Sequence, residues 1–167
     1  MNLSSINFII KECRKLFLGK LKDYGLSWKF FHNSSIIDQI LIKVIRIKNI
    51  QSKGYQIIKE EKITDTYIDI INYLIIILIK LDISFISNFH KISHHDVIFI
   101  YHNKLKKIKS YTNRIYIQKT ENQFSINHIL ENILYLKKNK EKIIFEDLEK
   151  FCFEILVKII FLLRKNL

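Results

Sequence analysis

The sequence has no proline and no alanine, and only three glycines, two cysteines and one tryptophan in 167 residues. Two cysteines allow one bridge at most, so a disulfide-stapled secreted scaffold is excluded. So few glycines, without proline, exclude collagen-like repeats and low-complexity linkers. Arginine is nearly missing too: Arg14, Arg46, Arg114 and Arg164 stand against 24 lysines. There is also no apolar run of the roughly 18–20 residues that a membrane span needs. The longest, Ile70 to Ile79, contains Asn72 and lies between Asp69 and Lys80, which makes it a buried core helix and leaves no membrane partner to expect. No basic segment leads into an apolar stretch at the N-terminus, so no signal peptide and a cytoplasmic location are expected. Cys13 and Cys152 each fall in an apolar helical pattern, as small buried thiols do.

Hydrophobic residues make up 49% and charged ones 26%, a globular balance in a chain long enough for one domain with its own core. The 36 isoleucines and the lysine excess point to AT-rich coding, since Ile, Lys and Asn share AT-rich codons. That weakens the obvious reading of a net charge of +12. The lysines are spread along the whole chain, and arginine, the residue suited to bidentate phosphate and guanine contacts, is scarce. A nucleic-acid partner therefore ranks behind a diffuse solvated surface.

Periodicity of three and four residues predicts a helix from Ser5 to Asp23, stopped by Gly25. Ser35, with Asp38 three residues on, opens a second helix through a capping-box-like pair. Ile37, Ile40, Leu41, Val44 and Ile47 form its apolar stripe, and Gly54 ends it. A third helix spans Thr64 or Asp65 to Leu81, where length overrides the strand propensity of Ile75, Ile76 and Ile77. A connector from Ser84 to Asp96 precedes helices at Asp96–Tyr111, Ser125–Lys138 and Phe145–Arg164, with a short strand or loop at 113–119. Without hairpin signals or strand–helix alternation, the fold class is all-α: a bundle of about five to six helices. An offset of 89 residues lays Asp38 on Asn127, Leu41 on Leu130, Val44 on Ile133 and Ile47 on Leu136. On this reading residues 5–83 hold a well-preserved unit and 94–167 a degenerate second copy of its helical hairpin, all within one domain.

The segments Lys22-Asp23-Tyr24-Gly25-Leu26-Ser27-Trp28, Ser34-Ser35-Ile36-Ile37-Asp38-Gln39-Ile40 and Asp65-Thr66-Tyr67-Ile68-Asp69-Ile70-Ile71-Asn72-Tyr73 carry a resemblance. With Ile42-Lys43 and Arg46-Ile47 between them, residues 8–82 resemble the nucleotide modification associated domain 1 family. That family is similar to the all-α nucleoside triphosphate pyrophosphatases, including the MazG-like enzymes. Those hold Mg²⁺ with carboxylates from two helices and release a monophosphate and pyrophosphate. The resemblance thus implies a nucleotide partner, Mg²⁺ as cofactor and a pyrophosphohydrolase reaction. The chain departs from that pattern. The ExxE of the first helix is absent, and Thr66 stands where ExxD has its Glu, leaving Asp69.

The residues themselves suit part of this chemistry. Asp65 and Asp69, four apart, share one helix face and repel each other unless something positive sits there. Asp38 could join them as a third Mg²⁺ ligand, with Asp65 and Asp69 also the catalytic pair that activates water. The plainer alternative makes Asp65 a helix cap, Asp38 part of a capping box and Asp69 an exposed carboxylate. Glu60 and Glu61 precede this helix in a connector. Lys43 and Arg46, three apart, suit phosphates, against a solvated polar face. Tyr24 and Trp28 suit stacking on a base, against packing between helices. Asn72, an amide in an apolar helix, needs a base edge or a neighbouring helix as partner. His90, His94, His95 and His102 lack Cys or Glu at zinc spacing and read as solvated. The expectation is a nucleotide-binding protein with hydrolase chemistry, dimerising if a second copy supplies the missing face. The rivals are a catalytically degenerate module on the same scaffold and, more weakly, a basic nucleic-acid-binding protein.

Overall fold

A computed structural model describes residues 3–54, 62–86, 88, 91–116, 124–139 and 141–167. Within them the chain forms α1 (Leu3–Tyr24), a 3-10 turn η1 (Ser27–Phe30), α2 (Asn33–Lys53), α3 (Ile63–Ile83), α4 (His94–Tyr116), α5 (Ile126–Asn139) and α6 (Phe145–Arg164). Among the described residues no strand occurs, so the all-α expectation holds. Residues 113–116, which the sequence leaves as strand or loop, extend α4, while 117–119 lie outside the described residues. No described helix is long and apolar enough to cross a membrane.

The architecture is built around α3. Thirteen of its 21 residues are buried, from Thr66 to Ile83, because it is apolar almost all round. It packs against α6, α2, α1 and α4, while α5 closes the bundle against α2 and α6. Of the stripe read on α2, four residues are buried and Leu41 is partly buried. Ile37, Ile40, Val44 and Ile47 of α2 and Ile126, Ile129, Ile133 and Leu136 of α5 are all in the core, at positions the 89-residue offset superimposes. The thiols of Cys13 and Cys152 are buried and free, and burial pushes that of Cys152 up to about 12.

The helix starts differ in detail from the sequence reading. Ser35 does not cap α2: the helix begins at Asn33 with His32 as N-cap, and Asp38 lies a turn further in. Its carboxylate instead meets Lys137 of α5 at 2.7 Å, which ties the two helices at the surface. A capping box with a Ser hydroxyl forms instead at the start of α4. There the Asp96 amide donates to Ser93 Oγ, and the Ser93 amide donates to Asp96 Oδ2, both at 3.1 Å. Hydrogen bonds from the Ser93 hydroxyl, at 2.6 Å, and then from the Ser93 amide hold the Asp96 carboxyl below its ordinary range. The glycine stops are as expected. Gly25 and Gly54 adopt φ of 59° and 72°, and each amide donates back to a carbonyl four residues earlier.

Candidate functional site

The end of α1 sets up the site. The left-handed Gly25 turns the chain sharply after Tyr24, and η1 then lays Trp28 against the bundle with 9% of its surface exposed. Lys80, a full helix away on α3, holds this turn. Its ammonium donates to the carbonyls of Trp28 and Lys29, both at 3.2 Å, and to that of Phe31. A short helix leaves its last carbonyls unpaired, and a cation there meets both the hydrogen-bond need and the negative end of the backbone dipoles. Burial lowers the pKa of Lys80, so its charge is held at a cost that the three carbonyls offset. Nothing local in the sequence marks Lys80 for this role, because its partners lie about fifty residues away.

Between the turn, the last part of α1 and the middle of α3 lies a cleft of about 400 Å³. Aromatic rings dominate its walls: Phe17, Tyr24, Trp28, Phe31 and Tyr73. Tyr24 and Phe31 are well exposed at the mouth, while Phe17 is buried and stacks on Tyr101 behind it, ring centres 3.8 Å apart. Four residues singled out from the sequence, Tyr24, Trp28, Asp69 and Asn72, line this one cleft. Trp28 packs in the core, as the plainer alternative has it, and also lines the cleft.

Asn72 finds its partners within the bundle. Its amide nitrogen donates to the Cys13 carbonyl at 3.0 Å, and its oxygen accepts from the Tyr101 hydroxyl at 2.8 Å. It therefore ties α1, α3 and α4 behind the cleft. One of its two amide N–H groups is used in this way, and the residue is 5% exposed.

Asp69 is not an exposed carboxylate, and what sits beside it is not acidic. Lys43 of α2 lies 2.5 Å from Oδ2 and Lys20 of α1 lies 2.9 Å from Oδ1. The positive charge that the Asp65–Asp69 spacing calls for is thus supplied by two lysines. Lys20, which no sequence signal distinguishes from the other lysines, also sits over the Tyr73 ring at 5.6 Å. Its side chain is 46% exposed, against 19% for Lys43.

Asp65 stands outside the cleft. Its carboxylate accepts the Lys62 amide at 3.3 Å, the capping role weighed from the sequence, and it lines an adjoining groove of about 690 Å³. That groove shares Lys20, Tyr24 and Asp69 with the cleft and adds Glu12 and Asp23 from α1 as well as Lys15 and Lys62. Glu12 and Asp23 were not legible as site residues, since nothing in the sequence says which face of α1 meets α3. Asp38 lines neither cavity and is engaged by Lys137, so the three acids do not converge. Arg46 is half-buried on α2 and also lines neither. Among the described residues no group of three or more His, Cys, Asp and Glu is placed to hold a metal. Thr66, at the position where a Glu would complete the pyrophosphatase pattern, is buried in the bundle. Glu60, Glu61 and His90 lie outside the described residues.

No curated protein and no solved structure matches the chain. A family model described as nucleotide modification associated domain 1 matches residues 20–81. The matched segment starts at Lys20, ends one residue after Lys80, and contains, among the described residues, every lining residue of the cleft except Phe17. Over that segment, and so over the cleft and the Lys20–Asp69–Lys43 cluster, the chain is similar to a nucleotide modification associated domain.

Proposed function

We propose that the protein binds a nucleotide, with the base in the aromatic cleft and the phosphate end at Lys20. The observation that carries this reading is the gathering of Tyr24, Trp28, Asn72 and Asp69 in one cleft with a half-exposed lysine at its edge. Aromatic walls suit stacking, worth about 1–3 kcal/mol per base. A volume near 400 Å³ lies within the range of small-ligand sites. The similarity of residues 20–81 to a nucleotide modification associated domain adds to it. In this reading α5 and α6 complete the bundle as a degenerate copy of α2 and α3 without a site of their own.

A Mg²⁺-dependent pyrophosphohydrolase is the second reading. It is favoured by Glu12, Asp23, Asp65 and Asp69 lining one groove next to the cleft, since hard carboxylate oxygens are what Mg²⁺ takes. Against it, each oxygen of Asp69 already holds an ammonium and Asp65 caps its own helix, so this arrangement does not fit a metal. The non-catalytic form of the nucleotide reading is therefore preferred. Calorimetric titration with a panel of nucleosides and nucleotides, with and without Mg²⁺, tests both. Saturable binding indifferent to Mg²⁺ and without pyrophosphate release is the expected result. Mg²⁺-dependent pyrophosphate release that Asp69→Ala abolishes would establish the hydrolase instead. An absence of any binding would remove the nucleotide reading.

A further inference from the structure

If the cleft takes a nucleotide, as proposed above, the charge arrangement around it narrows the ligand. Asp69 has two cationic partners where one would neutralise it, so the cluster carries one surplus positive charge. The two lysines are not equivalent. Lys43 is largely covered and close to Oδ2, whereas Lys20 is 46% exposed, lies at 2.9 Å from Oδ1 and itself lines the cleft. With its ammonium open to water, the Lys20 side of this pair is screened and contributes little. Lys20 can therefore leave Asp69 for an anion in the cleft at small cost, because Lys43 still holds the carboxylate and no charge is stranded.

Among the described residues that line the cleft, Lys20 is the only cation. Beyond it the cleft opens into the groove where Glu12, Asp23 and Asp65 are set against Lys15 and Lys62. Among the described residues, a second and third phosphate extending that way would meet more carboxylates than ammoniums, with no group of three or more acids, histidines or cysteines placed to hold a metal that would reverse the sign. We infer that the ligand is a nucleoside monophosphate, held by one phosphate group through exchange of Lys20 from Asp69 to the ligand, and that a longer phosphate chain adds nothing.

Calorimetric titration in the presence of EDTA with adenosine, guanosine, cytidine and uridine and with their 5′-mono- and triphosphates tests this on the full chain. For the base that binds, the monophosphate is expected to bind about tenfold tighter than the nucleoside, the size of one charge-assisted hydrogen bond. The triphosphate should bind no tighter than the monophosphate. In Lys20→Met the phosphate advantage should disappear, with an unchanged helical circular dichroism spectrum and a cooperative thermal melt as the control for folding. A triphosphate that binds at least tenfold tighter than the monophosphate would overturn the inference but leave the nucleotide reading standing. So would a phosphate advantage that survives Lys20→Met, or a nucleoside that binds as well as its monophosphate. Failure of every member of the panel would instead bring down the nucleotide reading itself.

Discussion

At the scale of single residues, the polar groups of the site are committed to one another. Asn72 shows this best. From the sequence, an amide in an isoleucine-rich helix had to satisfy its hydrogen bonds on a ligand or on a neighbouring helix. The outcome is the neighbouring helices, through Cys13 and Tyr101. Burial also pushes the Tyr101 hydroxyl well above its ordinary pKa, so it stays protonated and donates. Replacing Asn72 with Leu leaves that buried hydroxyl without an acceptor, and a loss of roughly 1–3 kcal/mol is expected. Tyr101→Phe should cost less, and the double variant should recover part of the Asn72→Leu loss, since both orphaned groups are then gone. Additive losses in chemical denaturation would show that the bond does not couple the helices. Asp69 illustrates the limit of reading charge spacing alone. The repulsion between Asp65 and Asp69 correctly called for a cation, but a sequence cannot say whether that cation is a metal or a lysine 26 residues away.

At the scale of elements, the helices were legible and the turn between α1 and α2 was not. The stripe of α2, the stop at Gly25 and the length of α3 follow from spacing, the left-handed requirement and an apolar run too long for a strand. Helix starts were less legible. Ser35 lost the cap position to His32, whereas Ser93 with Asp96 makes a capping box in what read as a connector. The turn Ser27–Phe30 owes its position to Lys80, a contact that no local pattern encodes. Lys80→Met removes the donor from three carbonyls and should lower stability by about 1–3 kcal/mol. It should also raise quenching of the single tryptophan by acrylamide, because Trp28 sits in the turn that Lys80 anchors. Lys80→Arg, which keeps charge and donors, should retain most of both. Unchanged quenching in Lys80→Met would mean that packing alone holds the turn.

At the scale of the whole molecule, α3 organises everything: it forms the core, the back of the cleft and the acid side of the lysine cluster. Only the apolar half of that role could be read in advance. The core follows from hydrophobic period, but the cleft depends on which faces of α1 and α3 meet, and the overall excess of lysine hid Lys20 and Lys80 among two dozen others. The bundle should also respond to mild acid. His102 on α4 is held below its ordinary pKa of 6.5, chiefly by burial, then by the positive charges of Arg14 and Lys106. The unfolded chain therefore binds this proton at higher pH than the folded one, and the associated stability is lost as pH falls below about 6.5. A melting temperature that drops between pH 7.5 and 5.5, and drops less in His102→Gln, is the expected outcome. Identical pH profiles for the two proteins would assign the acid sensitivity to other groups.

A ligand in the cleft is read most directly from the emission of Trp28, which is the only tryptophan and part of the cleft wall. A base stacked in the cleft must alter that emission, saturably and with one site per chain, as a nucleoside monophosphate is added. Tyr24→Ala, which removes an exposed ring at the mouth, should weaken the titration by about 1–3 kcal/mol, the range for one stacking contact. Emission that stays constant across the nucleotide panel, or binding that leaves Trp28 unperturbed, would contradict the placement of the ligand in this cleft.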